Sequence, residues 1–588
     1  MEFNKYYQDE LTYLREMGIE FARYYPKLAP FLGEGGNDPD VERLLEGFAF
    51  LSGRLRQKLD DELPELTEGM FSLMWPQYIR PIPATSILQF TPIPSAISNG
   101  QMVKRGAEID SDPVDGTRCR FRTCFDVDVY PIYINQSDYV NTGAGSVIQL
   151  QVSTINELLF DTLDIKSLKF FLHGDTVTAS SLYLWLNRYL KEMTIEATLG
   201  DGNKKLIVLD KKMLKPAGLS DEEVLIPYPE NSLSAYRLLQ EYYTLPQKFL
   251  FVELVGMHIL KQLVGATQLT LSFKFSRPLD SQVRPTKDNF RLFCTPIVNL
   301  FEKDADPVRL DNNQVEYFVR PGGDGKRHFE IFSIDRVTGW VQGTNIKREY
   351  KPFLSFTHNI HYSNVKEHGF FKLRRQPAVI GKGIDTYATF VLPDETRVIG
   401  SKEVISLQLT CSNRNLPEKL REHDIKNATG NSPEFVSYRN ITAVTPSVPP
   451  PVEKGLHWNL ISNLTLNYET LSNITALRHV LSAYNFPAHF SMQAARLNEL
   501  RMEGLKTVKS ESINSLVKGV PVRGQRTRIS MDSSKFACEG DMYLFAAIIE
   551  RFLGLYVTIN SFSQLWLDDI ERGEIYQWEP LTGMQTLL

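Results

Sequence analysis

FLSGRLRQKLDDELPELTEGMFSLMWPQYIRPIPATSILQF, Phe50 to Phe90, is where the chain changes character. Its opening continues a stripe of Val41, Leu44, Phe48, Leu51, Leu55 and Leu59, whose near-heptad spacing lines them along one side of a helix. Pro64 interrupts the pattern, and a shorter piece carrying Leu66, Met70 and Leu73 ends before Pro76. Pro81 and Pro83 then lead into a short strand around Ser86 to Phe90, with Pro92 and Pro94 beyond. Helices precede this stretch and strands follow it.

Toward the N-terminus, Tyr7, Leu11, Leu14, Gly18, Phe21 and Tyr25 form a second seam with alternating spacings of four and three. Gly18 costs about 1 kcal/mol inside a helix, so its place in the seam points to close approach of another backbone. Asp38 is a natural N-cap, with Pro39 at the first helical position. Two such helices pack on each other as a hairpin or on another chain, and spacing alone leaves both open. Arg54, Arg56, Lys58, Asp60, Asp61 and Glu62 read as the solvated face.

Toward the C-terminus, period-two alternation dominates. Leu269, Leu271, Phe273 and Phe275 alternate with Thr270, Ser272 and Lys274, as do Phe329, Ile331, Ser333 and Asp335 with Phe332 and Ile334. Short helices are expected at Ser181–Lys191 and Leu233–Tyr243. TPSVPPPV, Thr445 to Val452, excludes regular structure and reads as a semi-rigid spacer. Beyond it, helices at Leu471–Tyr484 and Asp541–Leu555 and a strand region at Val520–Met531 make an α/β unit. The fold class expected is therefore multi-domain α+β. It comprises an N-terminal helical segment over 1–80, a β-rich middle over 81–444 with two or more domains, a proline linker over 445–452, and a C-terminal α/β domain over 453–588. The full 588 residues agree with about four domains.

Lys and Arg total 65 against 70 Asp and Glu, a net charge of −5, and no run of five like charges occurs. A nucleic-acid partner is not expected from that balance. The five cysteines are odd in number and scattered, as in a reduced cytosolic protein. Met1 to Glu10 lacks a signal-peptide apolar core, and no run reaches the ~18 apolar residues of a membrane span.

Catalytic signals are weak. Gly322 to Lys326 lacks the Ser or Thr that a Walker loop places after its lysine, since Arg327 stands there. His358, His361 and His368 cluster without completing a zinc set. Cys119 and Cys124 are too far apart for a redox pair, and Asp126 and Asp128 share a strand face without a nucleophile or base. No catalytic residue, metal or cofactor is expected. The abundant aromatics, 34 Phe and 25 Tyr, leave a β-rich carbohydrate-active enzyme or binding module as the alternative, and a cytosolic adaptor as a third reading.

Phe50 to Ala84 also resembles the N-terminal signature of the TssF family (ImpG/VasA), baseplate subunits of the type VI secretion system. The likeness continues through CRFRT (Cys119–Thr123), LKFFLHG (Leu168–Gly174), LLQEYYTLPQKFLFVEL (Leu238–Leu254), FCTPIVNLF (Phe293–Phe301) and NRNLP (Asn413–Pro417). WNLISNLTLNY (Trp458–Tyr468), VRG (Val522–Gly524) and LFAAIIERFLGLYVTINSF (Leu544–Phe562) complete it. Gly53 departs from the helix former that the family usually carries there. Within these motifs, the Thr295-Pro296 step is expected to break a strand ahead of the apolar plug Ile297–Phe301. Pro246 is expected to stop a helix flanked by Tyr242, Tyr243 and Phe249. Arg523 is read as a buried structural ion-pair residue in preference to an interface anchor.

The resemblance implies a non-enzymatic wedge protein like those of contractile phage baseplates. Its implied partners are TssG, a second copy of itself, TssK, TssE, the VgrG hub and the sheath. It implies a cytoplasmic particle that docks on the inner-membrane complex and reaches the membrane only through it. It also implies that N-terminal helices join a bundle with partner subunits; here the matching residues are Tyr7, Leu11, Leu14, Phe21, Leu44, Phe48, Leu51 and Leu55.

Overall fold

The computed structural model describes residues 2–25, 39–60, 71–72, 75–143, 145–228, 234–310, 314–323, 326–343, 347–353, 368–377, 383–391, 403–450, 473–517, 520–558 and 561–583. They fall into two compact units. The first is built on Met1–Ile79 and the second on Arg80–Pro450 with Leu466–Leu588.

In the first unit, helix α1 spans Glu2–Tyr24 and helix α2 spans Pro39–Asp60. They lie against each other, with an ion pair between Arg15 and Glu42. On α2 the sheltered row is Val41, Leu45, Ala49 and Gly53, of which Ala49 and Gly53 are buried. Small side chains at 49 and 53 let a neighbouring backbone come close, and this is where Gly53 sits. Asp40 and Glu42 occupy the first turn of α2, where the helix dipole favours acids.

The second unit is a set of mainly antiparallel sheets, two of which carry one parallel pair each, with helices packed on and between them. A six-stranded sheet runs in the order Ile425–Ala428, Glu108–Val114, Thr117–Thr123, Cys294–Val298, Thr85–Pro92, Val436–Asn440. A five-stranded sheet orders Lys204–Leu209, Leu190–Thr198, Gln268–Phe275, Gly145–Thr154 and Ile132–Thr142. In its central strand Leu269, Leu271, Phe273 and Phe275 are buried, as their alternation requires. An eight-stranded sheet centred on Glu330–Val341 and Glu403–Ser412 encloses a core of Phe301, Phe329, Ile331, Val337, Leu407 and Leu409. The last sheet joins Leu505–Val517, Val520–Met531 and Phe562–Asp569, with helix Glu539–Leu555 packed on it.

Two expectations change, and one helix is additional. Pro296 does not break its strand: Cys294–Val298 continues through it, with Pro296 opposite Ile87. Phe90 N donates to Phe293 O, which makes 90/293, 88/295 and 86/297 the hydrogen-bonded pairs. Pro296 thus falls at a non-bonded position of that ladder, and on its other side, just past the end of strand Thr117–Thr123, its carbonyl still accepts from Cys124 N at 2.9 Å. The helix expected at Ser181–Lys191 lies earlier, at Thr176–Leu184, because Asp175 caps it by accepting from Thr178 N at 2.9 Å. Its continuation is a single π-turn, Trp185–Tyr189, and then the strand Leu190–Thr198. Helix Met492–Gly504, capped by Ser491, was not anticipated.

The described part of the proline-rich stretch is held along residues 82–85. Thr445 N donates to Thr85 O at 2.9 Å, and Val448 and Ile82 exchange backbone bonds of 2.9 and 2.7 Å. Residues beyond it pack into those before it. Gly540 sits so close to helix Thr176–Leu184 that a Cβ there would stand 2.2 Å from Ser180 O, and Tyr236 stacks on Tyr484 at 4.4 Å.

Candidate partner-binding surface

The described seam residues divide between a half-buried set and an exposed set. On α1, Tyr7, Leu11 and Leu14 are half-buried, whereas Phe21 is 47% exposed. On α2, Leu44, Phe48 and Leu51 are 74%, 59% and 62% exposed, on the side away from the sheltered row. The side chain of Leu55 lies outside the described residues. Tyr13, Met17 and Tyr24 add further exposed apolar surface to α1. Burying a Leu or Phe side chain contributes roughly 1.5–3 kcal/mol, so a row of three on one helix is a substantial unspent driving force. Large exposed apolar patches mark interaction surfaces.

The second unit holds its parts together through buried polar joints. Glu241 and Lys248, both almost fully buried, form an ion pair across the Pro246 turn. Glu241 Oε1 also accepts from Leu225 N and Ile226 N at 2.8 and 3.0 Å, anchoring a separate loop. Pro246 does end the helix, Ser234–Thr244, and opens a 3-10 turn. Tyr242 and Phe249 pack at 6.1 Å, but the ionic pair between them escaped the sequence reading.

A second joint centres on Glu539. Tyr576 Oη donates to it at 2.8 Å and Tyr189 Oη at 3.0 Å, with Arg572 Nη1 at 2.5 Å. Arg277 completes the cluster by bridging Tyr189 at 2.9 Å and Glu574 at 2.8 Å. Residues from Tyr189 to Tyr576 are thereby tied at one point, and no local sequence pattern announces it.

The chemical candidates resolve differently. Asp126 and Asp128 line a cavity of about 50 Å³ with Lys169, Glu253, Phe293 and Cys294. That space is far below the ~300 Å³ of a small-ligand pocket. Its lysine is engaged by Glu223 at 2.6 Å, and burial pushes the Asp128 carboxyl up. Cys119 and Cys124 are buried free thiols, each pushed up to about 12 by desolvation. His358 and His361 lie outside the described residues, and His368 begins the strand His368–Pro377. Gly323 adopts φ +82°, three residues ahead of the 3-10 turn Lys326–His328. Among the described residues, no three His, Cys, Asp or Glu converge to hold a metal, and no helix is long and apolar enough to cross a membrane.

Arg523 corrects its expectation. It is exposed, and among the described residues its guanidinium has no ion-pair partner. Gly524 is the buried member of the pair: a Cβ there would meet the Phe562 ring at 2.4 Å.

The family model described as Type VI secretion system, TssF, matches residues 1–585. The chain belongs to the TssF family. It is 30% identical over 622 aligned positions to type VI secretion system component TssF1 of Pseudomonas aeruginosa, covering 98% of each chain. It is also similar to a chain of the TssK-TssF-TssG baseplate subcomplex of the type VI secretion system, solved by cryo-electron microscopy. There the TM-score is 0.76 at 30% identity, over 92% of this chain and 99% of that one. A chain of the type VI baseplate complex matches with a TM-score of 0.67 at 27% identity, over 100% of both. TssF membership displaces the carbohydrate-active and unrelated-adaptor readings, and it makes the mixed α/β multi-domain fold that of a baseplate protein.

Proposed function

We propose that this chain is a structural subunit of the type VI secretion baseplate wedge, working in the cytoplasm and assembling with TssG and TssK. In this reading a second copy of the chain and TssE join the same wedge. Wedges surround the VgrG hub, and the finished platform docks at the inner-membrane complex and starts tube and sheath assembly. The observation that carries the proposal is the outward apolar row Leu44, Phe48 and Leu51 on α2, beside a hairpin face already satisfied by Val41, Leu45 and Ala49. The relatives named above are components of such complexes, which supports the reading. The α2 row, with Phe21 of α1, is assigned to a helical bundle with TssG or the second copy.

Leu44→Asp with Phe48→Asp is the direct test, read as co-purification with TssG. Both positions are exposed, so the hairpin stays folded while capture is lost. Undiminished capture would remove this face from the interface.

A further inference from the structure

Strand Val520–Met531 carries three arginines, and two of them are neutralised. Arg526 donates to Glu511 Oε1 at 3.2 Å and to Gln564 Oε1 at 3.1 Å, with its guanidinium 4.2 Å from the Trp566 ring centre. Arg528 Nε donates to Asp568 Oδ2 at 2.5 Å. Arg523 is exposed with no such partner among the described residues.

The main chain of Arg523 is held firmly. Ser561 Oγ donates to its carbonyl at 2.8 Å, Asn514 faces it across the ladder, and Gly524 is pressed against Phe562. With the backbone fixed, pairing here has to order only the Arg523 side chain, at about 0.5–1.5 kcal/mol.

Arg523 also lies beyond the sheet proper. Strand Phe562–Asp569 pairs with its neighbour only from Gln525 onward, whereas the ladder to Leu505–Val517 continues out to Val517↔Val520. Ser512–Val517 and Val520–Arg523 thus pair as a two-stranded ribbon, a form only marginally stable in water by itself. Its sequence, SINSLVKGVPVRG, holds Lys518 and Arg523, five apolar residues and no acid.

We propose that this ribbon docks an acidic segment of another protein subunit of the assembly, with Arg523 taking a partner carboxylate through its planar fork. The inference rests on the baseplate reading for the source of that subunit. A carboxylate suits a single guanidinium, which binds it bidentately. A phosphate-rich surface calls for several free cations, and Arg526 and Arg528 are already engaged by Glu511 and Asp568.

The test co-expresses the full chain, wild type or with Arg523→Glu or Arg523→Lys, with TssG and TssK homologues and measures recovered complex against salt. Arg523→Glu is expected to weaken capture by about tenfold or more with an unchanged melting temperature, and Arg523→Lys to fall between. A photo-crosslinker at exposed Asn514 reads the same surface with the charge intact, and is expected to join a peptide rich in Asp or Glu. Equal capture of wild type and Arg523→Glu, with no crosslink, would overturn the ribbon and leave the baseplate reading standing. Failure of the wild type to assemble would overturn both. Loss of binding to anionic vesicles, with complex yield unchanged, would replace the protein partner by a lipid surface.

Discussion

Asn299 and Asn413, both fully buried, bond each other in both directions. Asn413 N donates to Asn299 Oδ1 at 2.7 Å, and Asn299 Nδ2 donates to Asn413 Oδ1 at 2.8 Å. Asn299 follows strand Cys294–Val298 of the six-stranded sheet, and Asn413 follows strand Glu403–Ser412 of the eight-stranded one. Asn299 also donates to Arg120 O at 2.8 Å, and Arg120 N donates to Asn413 at 3.2 Å. Two sheets are thereby locked at one corner by amides that have no access to water.

Truncating Asn299 to Ala strands several of these groups without partners, at a cost of about 3 kcal/mol. The first thermal transition is expected to fall, and limited proteolysis to cut first near residue 413. The double truncation should cost clearly less than the sum of the singles, because the residues act as one unit. Additive losses would mean that the two amides are not coupled.

Lys248→Met leaves the buried Glu241 with Arg237 Nε, 4.0 Å away, as its remaining cation, so the loss is about 3 kcal/mol, the low end for a broken buried pair. Glu241→Gln with Lys248→Met removes both charges while keeping an acceptor for Leu225 N and Ile226 N, so it should recover a good part of that loss. Thermal melts of the three proteins decide it: a double variant no better than Lys248→Met would show that Glu241 matters only as a loop anchor.

How legible was this in the sequence? Helical and strand textures were, because periods near 3.5 and 2 are set by which side must avoid water. Leu269 to Phe275 and the strand Val520–Met531 fall where their patterns put them. Which face of α2 is used was not legible. The rows Val41, Leu45, Ala49 and Leu44, Phe48, Leu51 are adjacent and both apolar, and only packing distinguishes the one that α1 covers. The joints were hidden for another reason: Asn299 and Asn413 are 114 residues apart, and no periodicity links them. Each does sit in a quoted motif, FCTPIVNLF and NRNLP, which was the available signal. At Arg523 the strand context misled, since the ladder outruns the sheet and a strand residue there meets solvent.

Glu550 gives the chain a pH dependence of predictable sign. Burial pushes its carboxyl up to about 8, with Arg551 opposing weakly, and its charge is felt by Tyr183 and Tyr543. The folded chain therefore keeps this proton where the unfolded chain releases it, from about 4.5 upward. Its contribution to stability is full below 4.5, declines as pH rises to about 8 and is flat above, with a slope of at most about 1.4 kcal/mol per pH unit. Glu550→Gln should flatten that part of the melting profile and raise the melting temperature at pH 8. An unchanged slope would show that Glu550 is charged throughout.

The measurement that bears most directly on the whole account is the mass of the particle formed when the wild-type chain is co-expressed with TssG and TssK homologues. A stable complex that contains both partners and more than one copy of this chain is expected. A monomer of 67.3 kDa emerging alone, with TssG and TssK elsewhere, would contradict it.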